Sequence, residues 1–313
     1  MKEKINISGI EDDLVISANE NKNIFSNKLL NQKKIAISIS INEDIDKLGF
    51  SLQHLNDISV EIARYIVANG GTALYGGDLR LGGFTDLFSE LSNQYKISND
   101  RTFRFENYFP FPNSKLINTS IKVEFKAKQI NPIILPIPEN LGEIDIKKDY
   151  KPFDNIQDRY IYCECFKDMR IKMAQDCSAR IIIGGKISGY LGYMPGIIEE
   201  ALYTLLNDKP LYLIGGFGGA TLKLINLLMG ADTKEISNEY QYNTAFLKEF
   251  KEYINDKYPF SDYEVIKEKL SNFNIETISS KNKLSVEENE ILFTSKNIHE
   301  ILYLIMKGLT KIN

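Results

Sequence analysis

Three glycine-rich turns, each directly after a short apolar strand, constrain the fold of this 313-residue chain more than any other feature. They are Tyr75-Gly76-Gly77-Asp78, Ile183-Gly184-Gly185-Lys186 and Ile214-Gly215-Gly216-Phe217-Gly218-Gly219. In a parallel sheet all three turns lie at the carboxyl ends of the strands, where ligands bind in open α/β folds. Glycine lets backbone N–H groups approach a phosphate, and the helix that follows presents its positive end. The pattern therefore predicts a nucleotide-type site.

The periodicity of apolar residues around these turns predicts the fold class. Residues 35–40 form a β-branched run typical of a buried strand, and residues 54–68 carry apolar side chains at helical spacing. The same alternation of short apolar strands and helices returns over residues 161–229. We therefore expect an α/β protein with a Rossmann-like parallel sheet sandwiched by helices, followed by a helical C-terminal extension.

Changes in composition along the chain suggest its organisation. Residues 1–33 are rich in Asn, Lys, Glu and Ser and are expected to form an N-terminal arm. Residues 34–230 are expected to form the nucleotide-binding domain. Within it, residues 95–157 concentrate aromatics and prolines and are expected to be an insertion. Residues 231–313 are expected to be helical and to pack on the same domain.

The charge and the few metal-binding side chains exclude several functional classes. The net charge of −4 argues against a nucleic-acid-coating surface. The chain has only two His (His54, His299) and three Cys (Cys163, Cys165, Cys177), too few for a zinc site, so we expect no metal and no cofactor. An odd number of Cys and the absence of an apolar run of roughly 18 residues indicate a cytoplasmic protein with no membrane partner.

Two common nucleotide-binding fingerprints do not fit. When Gly216 and Gly218 are aligned as the first two glycines of the dinucleotide pattern, Thr221 occupies the third glycine position. The Walker A pattern requires Ser or Thr after its lysine, but Lys186 is followed by Ile187. A dinucleotide-dependent dehydrogenase and a P-loop NTPase are therefore both disfavoured.

The glycine turns and their neighbours resemble a known family. The turn at residues 75–78 is similar to the YGGG turn of the Lonely Guy (LOG) phosphoribohydrolases, which activate cytokinins. The sequences MRIKM at 169–173, SARIIIGG at 178–185 and PGIIEE at 195–200 resemble the LOG run RK..M … ALPGGxGTxEE. The likeness covers residues 34–225, so the chain resembles the wider SLOG superfamily. That superfamily joins LOG enzymes to ligand-sensing domains, including those of bacterial NAD-depleting anti-phage effectors and of TRPM channels.

One departure from the LOG pattern bears on function. LOG enzymes pass from the glycine pair to the acidic pair within a few residues, whereas Glu199 lies 14 positions after Gly185 and Lys186 follows the glycine pair. The spacing of Arg170, Lys186 and the Glu199-Glu200 pair is closer to the defence-effector SLOG sensors, which bind a cyclic ADP-ribose signal. The resemblance thus implies ligand binding without turnover.

Four side chains suit a nucleotide ligand chemically. The planar guanidinium of Arg170 fits a phosphate or diphosphate, and Lys186 supplies a compact charge. Glu199 or Glu200 could accept hydrogen bonds from ribose hydroxyls. In an enzyme, the same carboxylate could stabilise oxocarbenium charge, which makes Arg170, Glu199 and Glu200 the catalytic candidates.

The remaining candidates lie on the glycine turns. Asp78 and Arg80 form a second polar pair, and Phe217 could stack on a base. The full set of candidate ligand-binding residues is Gly76, Gly77, Asp78, Arg80, Arg170, Gly184, Gly185, Lys186, Glu199, Glu200, Gly215, Gly216, Phe217, Gly218 and Gly219.

Each candidate also has a purely structural interpretation. Arg170 could be a solvated helix residue, Glu199-Glu200 could complement a helix dipole, and only one of the two can point toward the turns. Asp78 could be a turn residue, Arg80 a loop ion pair, and Phe217 could cover the edge of the sheet.

Two functions remain in competition. The first is a cytosolic sensor in bacterial anti-phage defence that binds an ADP-ribose or cyclic ADP-ribose type signal. It would pass the signal on by forming a homo-oligomer or by acting on a separate effector protein. The second is a hydrolase, a nucleotide N-glycosidase or phosphoribohydrolase that cleaves the base–ribose bond. A DNA-binding relative is a weaker third option, against which the acidic charge balance argues.

Overall fold

Six parallel strands form the sheet of the computed structural model, which describes residues 28–77, 83–95 and 102–312. The strand order is β4-β3-β2-β1-β5-β6, and every neighbouring pair is parallel. The strands are β1 Lys34–Ser40, β2 Thr72–Gly76, β3 Phe105–Phe109, β4 Ile130–Ile134, β5 Ala179–Gly184 and β6 Leu211–Ile214.

Helices cover both faces of this sheet and continue to the C-terminal end of the described chain. The described residues contain α1 Leu52–Ala68, α2 Phe84–Gln94, α3 Thr119–Ala127, α4 Ile156–Asp176, α5 Gly196–Leu206, α6 Gly219–Leu228, α7 Asn238–Gln241, α8 Ala245–Ile254, α9 Tyr263–Ser271, α10 Ile275–Asn282, α11 Val286–Thr294 and α12 Ile298–Leu309. Short 3₁₀ helices span Asn113–Leu116 and Glu139–Leu141. The α/β, Rossmann-like arrangement with C-terminal helices is confirmed.

The central strand shows why the apolar runs are continuous rather than alternating. In β1, Ile35 pairs with Ala73 of β2 on one side and with Ala179 of β5 on the other. Both faces of a parallel sheet are covered by helices, so side chains on both faces must be apolar or fully paired. The interior positions of β1, from 35 to 39, are accordingly all buried.

The C-terminal helices close the β6 edge of the sheet. Asn282, at the end of α10, is fully buried and donates from Nδ2 to the Leu211 carbonyl at 3.0 Å. Its own carbonyl accepts from the Tyr212 hydroxyl at 2.8 Å. These bonds satisfy buried polar groups at the edge strand, where an unpaired backbone group would otherwise be costly.

The structure departs from the expected insertion over residues 95–157. Part of that stretch is integral to the sheet, because it supplies β3 and β4. The proline content that suggested an interruption is compatible with a strand here, since Pro132 lies in β4, the edge strand. A missing backbone N–H is tolerated at an edge strand.

Only the last residues of the expected N-terminal arm can be described. Leu30 is fully buried and packs in the main core, so the end of this segment is part of the folded unit. Residues 1–27, which contain Leu14, Val15 and Ile16, lie outside the described residues. Among the described helices, none combines the length and apolar character needed to cross a bilayer.

The three cysteines provide a test of the packing. Cys163, Cys165 and Cys177 are buried free thiols. Burial raises the pKa of all three thiols, and that of Cys165 to about 12. We expect no labelling of the native protein by a thiol reagent between about pH 7 and 9, because the reactive thiolate is absent and access is blocked. All three thiols should react in urea, and fast labelling of the native chain would contradict the packing.

Candidate functional site

A cavity of about 460 Å³ lies at the carboxyl ends of β1 and β2, next to α4 and the start of α5. This volume is in the usual range for small-molecule sites. The polar and glycine positions in its lining include Ser38, Ser40, Gly76, Arg170, Lys186 and Glu200. The structure thus brings together four of the residues that the sequence singles out: Gly76, Arg170, Lys186 and Glu200.

Arg170 is held by a buried ion pair. Its side chain lies on α4, is 5% exposed, and donates from Nη1 to Oε2 of Glu199, which is fully buried. A Cβ atom at Gly192 or Gly196 would lie 2.6 or 2.7 Å from a terminal guanidinium nitrogen. Gly192, in the loop before α5, and Gly196, the first residue of α5, therefore leave space for the guanidinium.

On its other edge, the Arg170 guanidinium has a donor without an acceptor. Nε is buried and has no hydrogen-bond partner, and its nearest carboxylate oxygen, Oε1 of Glu200, is 3.7 Å away. The Phe166 ring covers a face of the guanidinium, with 5.4 Å between Cζ and the ring centroid. Since Arg170 also lines the cavity, an acceptor placed in the cavity could satisfy this arginine.

Glu200 is fixed by a second buried arginine. Nη1 of Arg180, a fully buried residue of β5, donates to Glu200 Oε2 at 2.9 Å and to Ser38 Oγ at 2.7 Å. The Ser38 hydroxyl donates to the same Glu200 oxygen, and Arg180 Nε donates to Thr204 Oγ1 at 2.8 Å. Glu200 is therefore the glutamate that lines the cavity, with its carboxylate held rigidly.

Glu199 lies behind Arg170 rather than in the cavity lining. Burial raises the pKa of Glu199 above its usual value, and the Arg170 charge offsets part of that effect. Burial acts to lower the pKa of Arg170, but the two glutamate charges outweigh it and hold that pKa above its usual value. The Tyr258 hydroxyl donates to the remaining Glu199 oxygen at 3.4 Å. Glu199 thus positions Arg170.

Lys186 is an exposed cation beside the cavity. No described residue forms an ion pair with it. Gly184 and Gly185, immediately before it, have φ angles of 64° and 95°, and a Cβ at Gly185 would lie 2.5 Å from Ile197. Only glycine readily combines such a backbone with so little space. The two glycines are outside the cavity lining and serve to turn the chain toward Lys186.

Other parts of the chain fill the space around Gly215 and Gly216 of the third glycine turn. Added Cβ atoms at Gly215 and Gly216 would clash with the carbonyls of Phe293 and Ser295. Gly218 and Gly219 have φ angles of 71° and 67°, which a turn of this shape requires.

The start of the helix after this turn is also satisfied by the protein. Its first backbone donor, the Gly219 N–H, bonds to Asp44 Oδ2 at 3.1 Å. Ala220 N–H donates to the Gly185 carbonyl at 2.8 Å. These two N–H donors already have protein partners, so a phosphate at this turn stays a prediction that these bonds do not support.

Phe217 does not meet the expectation of base stacking. It is 1% exposed and packs against Phe50, with ring centroids 5.0 Å apart. Its carbonyl accepts a bond of 3.1 Å from Asn42 Nδ2. With the ring buried in this way, a ligand base would have no open face of it to contact, which favours the structural interpretation of Phe217.

The first glycine turn is only partly described. Gly76 lines the cavity, whereas Gly77 packs against β3, donating from its N–H to the Tyr108 carbonyl at 2.6 Å. Asp78 and Arg80 lie outside the described residues, so their roles remain predictions.

Arg180 and Ser38 are site residues that the sequence reasoning missed. The available signal was a charged residue inside an otherwise apolar strand, in the run ARIIIG of β5. Arginine is almost never fully buried unless it is paired, so this position already indicated a buried acidic partner. Ser38 gave no comparable signal, because a small hydroxyl is common in strands.

Comparison with protein-family models identifies the family. The model described as SLOG cluster2 matches residues 29–292. The chain belongs to the SLOG cluster2 family. The match extends past residue 225, where the sequence resemblance ended, and takes in helices α7 to α10 and most of α11. No curated protein matches the chain.

Membership of the SLOG family supports a nucleotide-related function with a small-molecule ligand. In the part of the chain that the structure describes, no three His, Cys, Asp or Glu side chains are grouped so as to hold a metal ion. The lining of the SLOG cavity instead combines Arg, Lys, Glu, Ser and glycine with apolar and aromatic side chains.

The Arg180 network predicts a large effect on stability. Arg180→Met removes the closest cation from the largely buried Glu200 carboxylate and should lower the free energy of unfolding by roughly 3 kcal/mol in urea titrations. Lys186→Met is the matched control. It should change stability by less than about 0.5 kcal/mol, because it removes an exposed cation without an ion pair. Equal stability of the two variants would contradict the assigned network.

Proposed function

We propose that this SLOG protein binds a nucleotide-derived ligand of ADP-ribose or cyclic ADP-ribose type in the Arg170 cavity and does not cleave it. The observation that carries the proposal is the pair of cations at the cavity wall. Lys186 has no ion pair with a described residue, and the buried Nε of Arg170 has no acceptor. A diphosphate supplies oxygens for both, and charge-assisted bonds of this kind are the strong ones.

Glu200 complements those cations with an acceptor for the sugar. Its carboxylate lines the cavity and is restrained by Arg180 and Ser38. A rigid acceptor beside two cations matches a ribose diphosphate, in which hydroxyl donors adjoin phosphate oxygens. The entropic cost of binding is small where the acceptor is already fixed.

The charge balance around Glu200 favours binding over cleavage. Glycosidic cleavage requires a carboxylate that stabilises positive charge on the sugar, together with a group that protonates the leaving base. The Glu200 carboxylate already faces Arg180 at 2.9 Å and Arg170 at 3.7 Å. Two guanidiniums reduce the negative potential available to a developing cation, and Glu199 is outside the cavity lining.

A nucleotide N-glycosidase is the second candidate. The observation in its favour is that the Glu200 carboxylate lines the same cavity as Arg170. In this alternative Arg170 holds the phosphate and Glu200 supports the ribosyl cation. It predicts release of free base, with loss of that activity in Glu200→Gln.

We place the sensor in the cytoplasm and in bacterial anti-phage defence. The basis is the resemblance of the Arg170, Lys186 and Glu199-Glu200 spacing to defence-effector SLOG sensors. The signal would then be passed on by self-association or by a separate effector protein. Size-exclusion chromatography with and without ligand distinguishes these outputs.

Calorimetric titration with ADP-ribose and cyclic ADP-ribose tests the binding proposal. Lys186→Met should weaken binding about tenfold or more, since it removes one charge-assisted contact. Lys122→Met, on the exposed face of α3, is the matched control and should bind like the wild type. Chromatography of the recovered ligand should show it intact after hours of incubation.

Two outcomes contradict this proposal. If Lys186→Met and Lys122→Met bind as tightly as each other, the cavity is not the binding site. If the wild type releases free base and Glu200→Gln does not, the protein is a glycosidase.

A further inference from the structure

A second pocket of about 360 Å³ adjoins the Arg170 cavity. The two share wall residues, namely Phe153, Gly189 and Tyr190. On its far side the second pocket is lined by residues of helices α7 and α8, including Tyr240 and Leu247. A ligand in the Arg170 cavity could therefore extend past Tyr190 into this pocket.

Arg159 is the charged residue of the second pocket. Its side chain is 5% exposed and its Nε is buried without a hydrogen-bond partner. Within the described ranges, the guanidinium forms neither an ion pair nor a side-chain hydrogen bond. Arg170 and Arg180 are also buried, but each is paired with a glutamate. Arg159 differs from both in lacking a counter-ion.

The nearest acidic residues on the same helix are already engaged. Asp158 accepts from Lys148 Nζ at 2.5 Å and from the Lys151 N–H at 2.8 Å. Glu164 accepts from the Tyr193 hydroxyl at 2.5 Å and from Lys167 Nζ at 2.7 Å. No Asp or Glu among the described residues lines the pocket itself.

The geometry leaves the edge of the guanidinium available. Arg159 Cζ lies 5.0 Å from the centroid of the Phe250 ring, so the ring covers a face of the group. The N–H donors of a guanidinium point outward in its plane, where they suit phosphate oxygens. Arginine stays charged at any accessible pH, and a buried charge without a partner is unfavourable. An anion in this pocket would remove that cost.

We propose that Arg159 forms a second anion subsite, which takes a second phosphate group of the ligand held at Arg170. This assignment rests on the proposed function of the Arg170 cavity. The two arginines are 11 residues apart on α4, which is about three helical turns, so they project from the same face of the helix. Their backbone positions are about 16 Å apart along the helix axis. The two guanidiniums also line different pockets, so each is assigned its own phosphate group. The ligand class is therefore an ADP-ribose type molecule that carries a further phosphate group outside its diphosphate.

Thermal unfolding with inorganic phosphate tests the subsite directly, at constant ionic strength maintained with sodium chloride. The measurements use Lys186→Met protein, so that phosphate bound in the Arg170 cavity contributes less to the change in unfolding temperature. In that background, we expect phosphate to raise the unfolding temperature, and Arg159→Met to raise the apparent Kd for phosphate by about tenfold or more. Without phosphate, Arg159→Met should unfold at the same temperature as its parent or higher. The substitution breaks no ion pair or side-chain hydrogen bond, methionine can still pack on Phe250, and a buried charge without a counter-ion is removed.

A structural role for Arg159 gives the opposite pattern. Arg159→Met would then lower the unfolding temperature without phosphate and leave the phosphate response unchanged, and this result would overturn the subsite. Arg159→Gln, which keeps a polar side chain of similar length, is the second variant, with the same expected loss of phosphate response. An unchanged response in Arg159→Gln would also overturn the subsite.

Titration with ADP-ribose separates this proposal from the function on which it rests. If Lys186→Met weakens ADP-ribose binding while Arg159→Met leaves the phosphate response intact, the subsite alone fails. If Lys186→Met binds ADP-ribose like the wild type, the proposed function fails. In that case, the thermal unfolding measurements with phosphate alone decide whether Arg159 binds an anion.

Discussion

A buried network of two arginines and two glutamates organises this SLOG domain around its cavity. Arg170 from α4 pairs with Glu199 of α5, Arg180 from β5 pairs with Glu200 of α5, and Glu200 also lies near Arg170. Taking four charges out of water is costly, and the cost is offset only while each charge keeps its partner. The network therefore fixes α5 against both α4 and the sheet, which sets the positions of Glu200 and Arg170.

This balance determines what the cavity can bind. The two glutamates balance much of the charge of Arg170 and Arg180. Among the described residues of the two linings, Lys186 and Arg159 have no counter-ion, and Arg170 adds the unpartnered donor at Nε. An acidic protein of net charge −4 thus presents cations in two adjoining pockets. The same balance limits Glu200 as a stabiliser of a sugar cation, because its negative charge is shared with two guanidiniums. The proposed binding without cleavage would therefore follow from a single arrangement of charges.

The sequence predicted the fold correctly where a single physical requirement, such as burial on both faces of a strand, determined the residue types. Continuous apolar runs followed by glycine turns predicted the parallel sheet, because strands covered on both faces have that pattern. Glycine itself was ambiguous: the turn at 215–219 satisfies close packing against the carbonyls of Phe293 and Ser295, and the turn at 184–185 directs Lys186. Both needs select the same residue, so sequence alone could not separate them.

The identities of the paired groups were harder to predict. Glu199 and Glu200 are neighbours that differ in direction by about 100° around α5, so the cavity-facing one depends on how that helix packs. Arg180 was visible as a charge within a buried strand, but its partner could not be named without the contact between β5 and α5. Arg159 resembled any other helix arginine, since its burial arises from packing by α8.

A crystal structure of the protein after prolonged incubation with ADP-ribose tests the central claim most directly. The account predicts an intact ligand, with its diphosphate at Lys186 and Arg170 and a ribose hydroxyl bonded to Glu200. A cleaved ligand, or a diphosphate bound away from the Arg170 cavity, would contradict it.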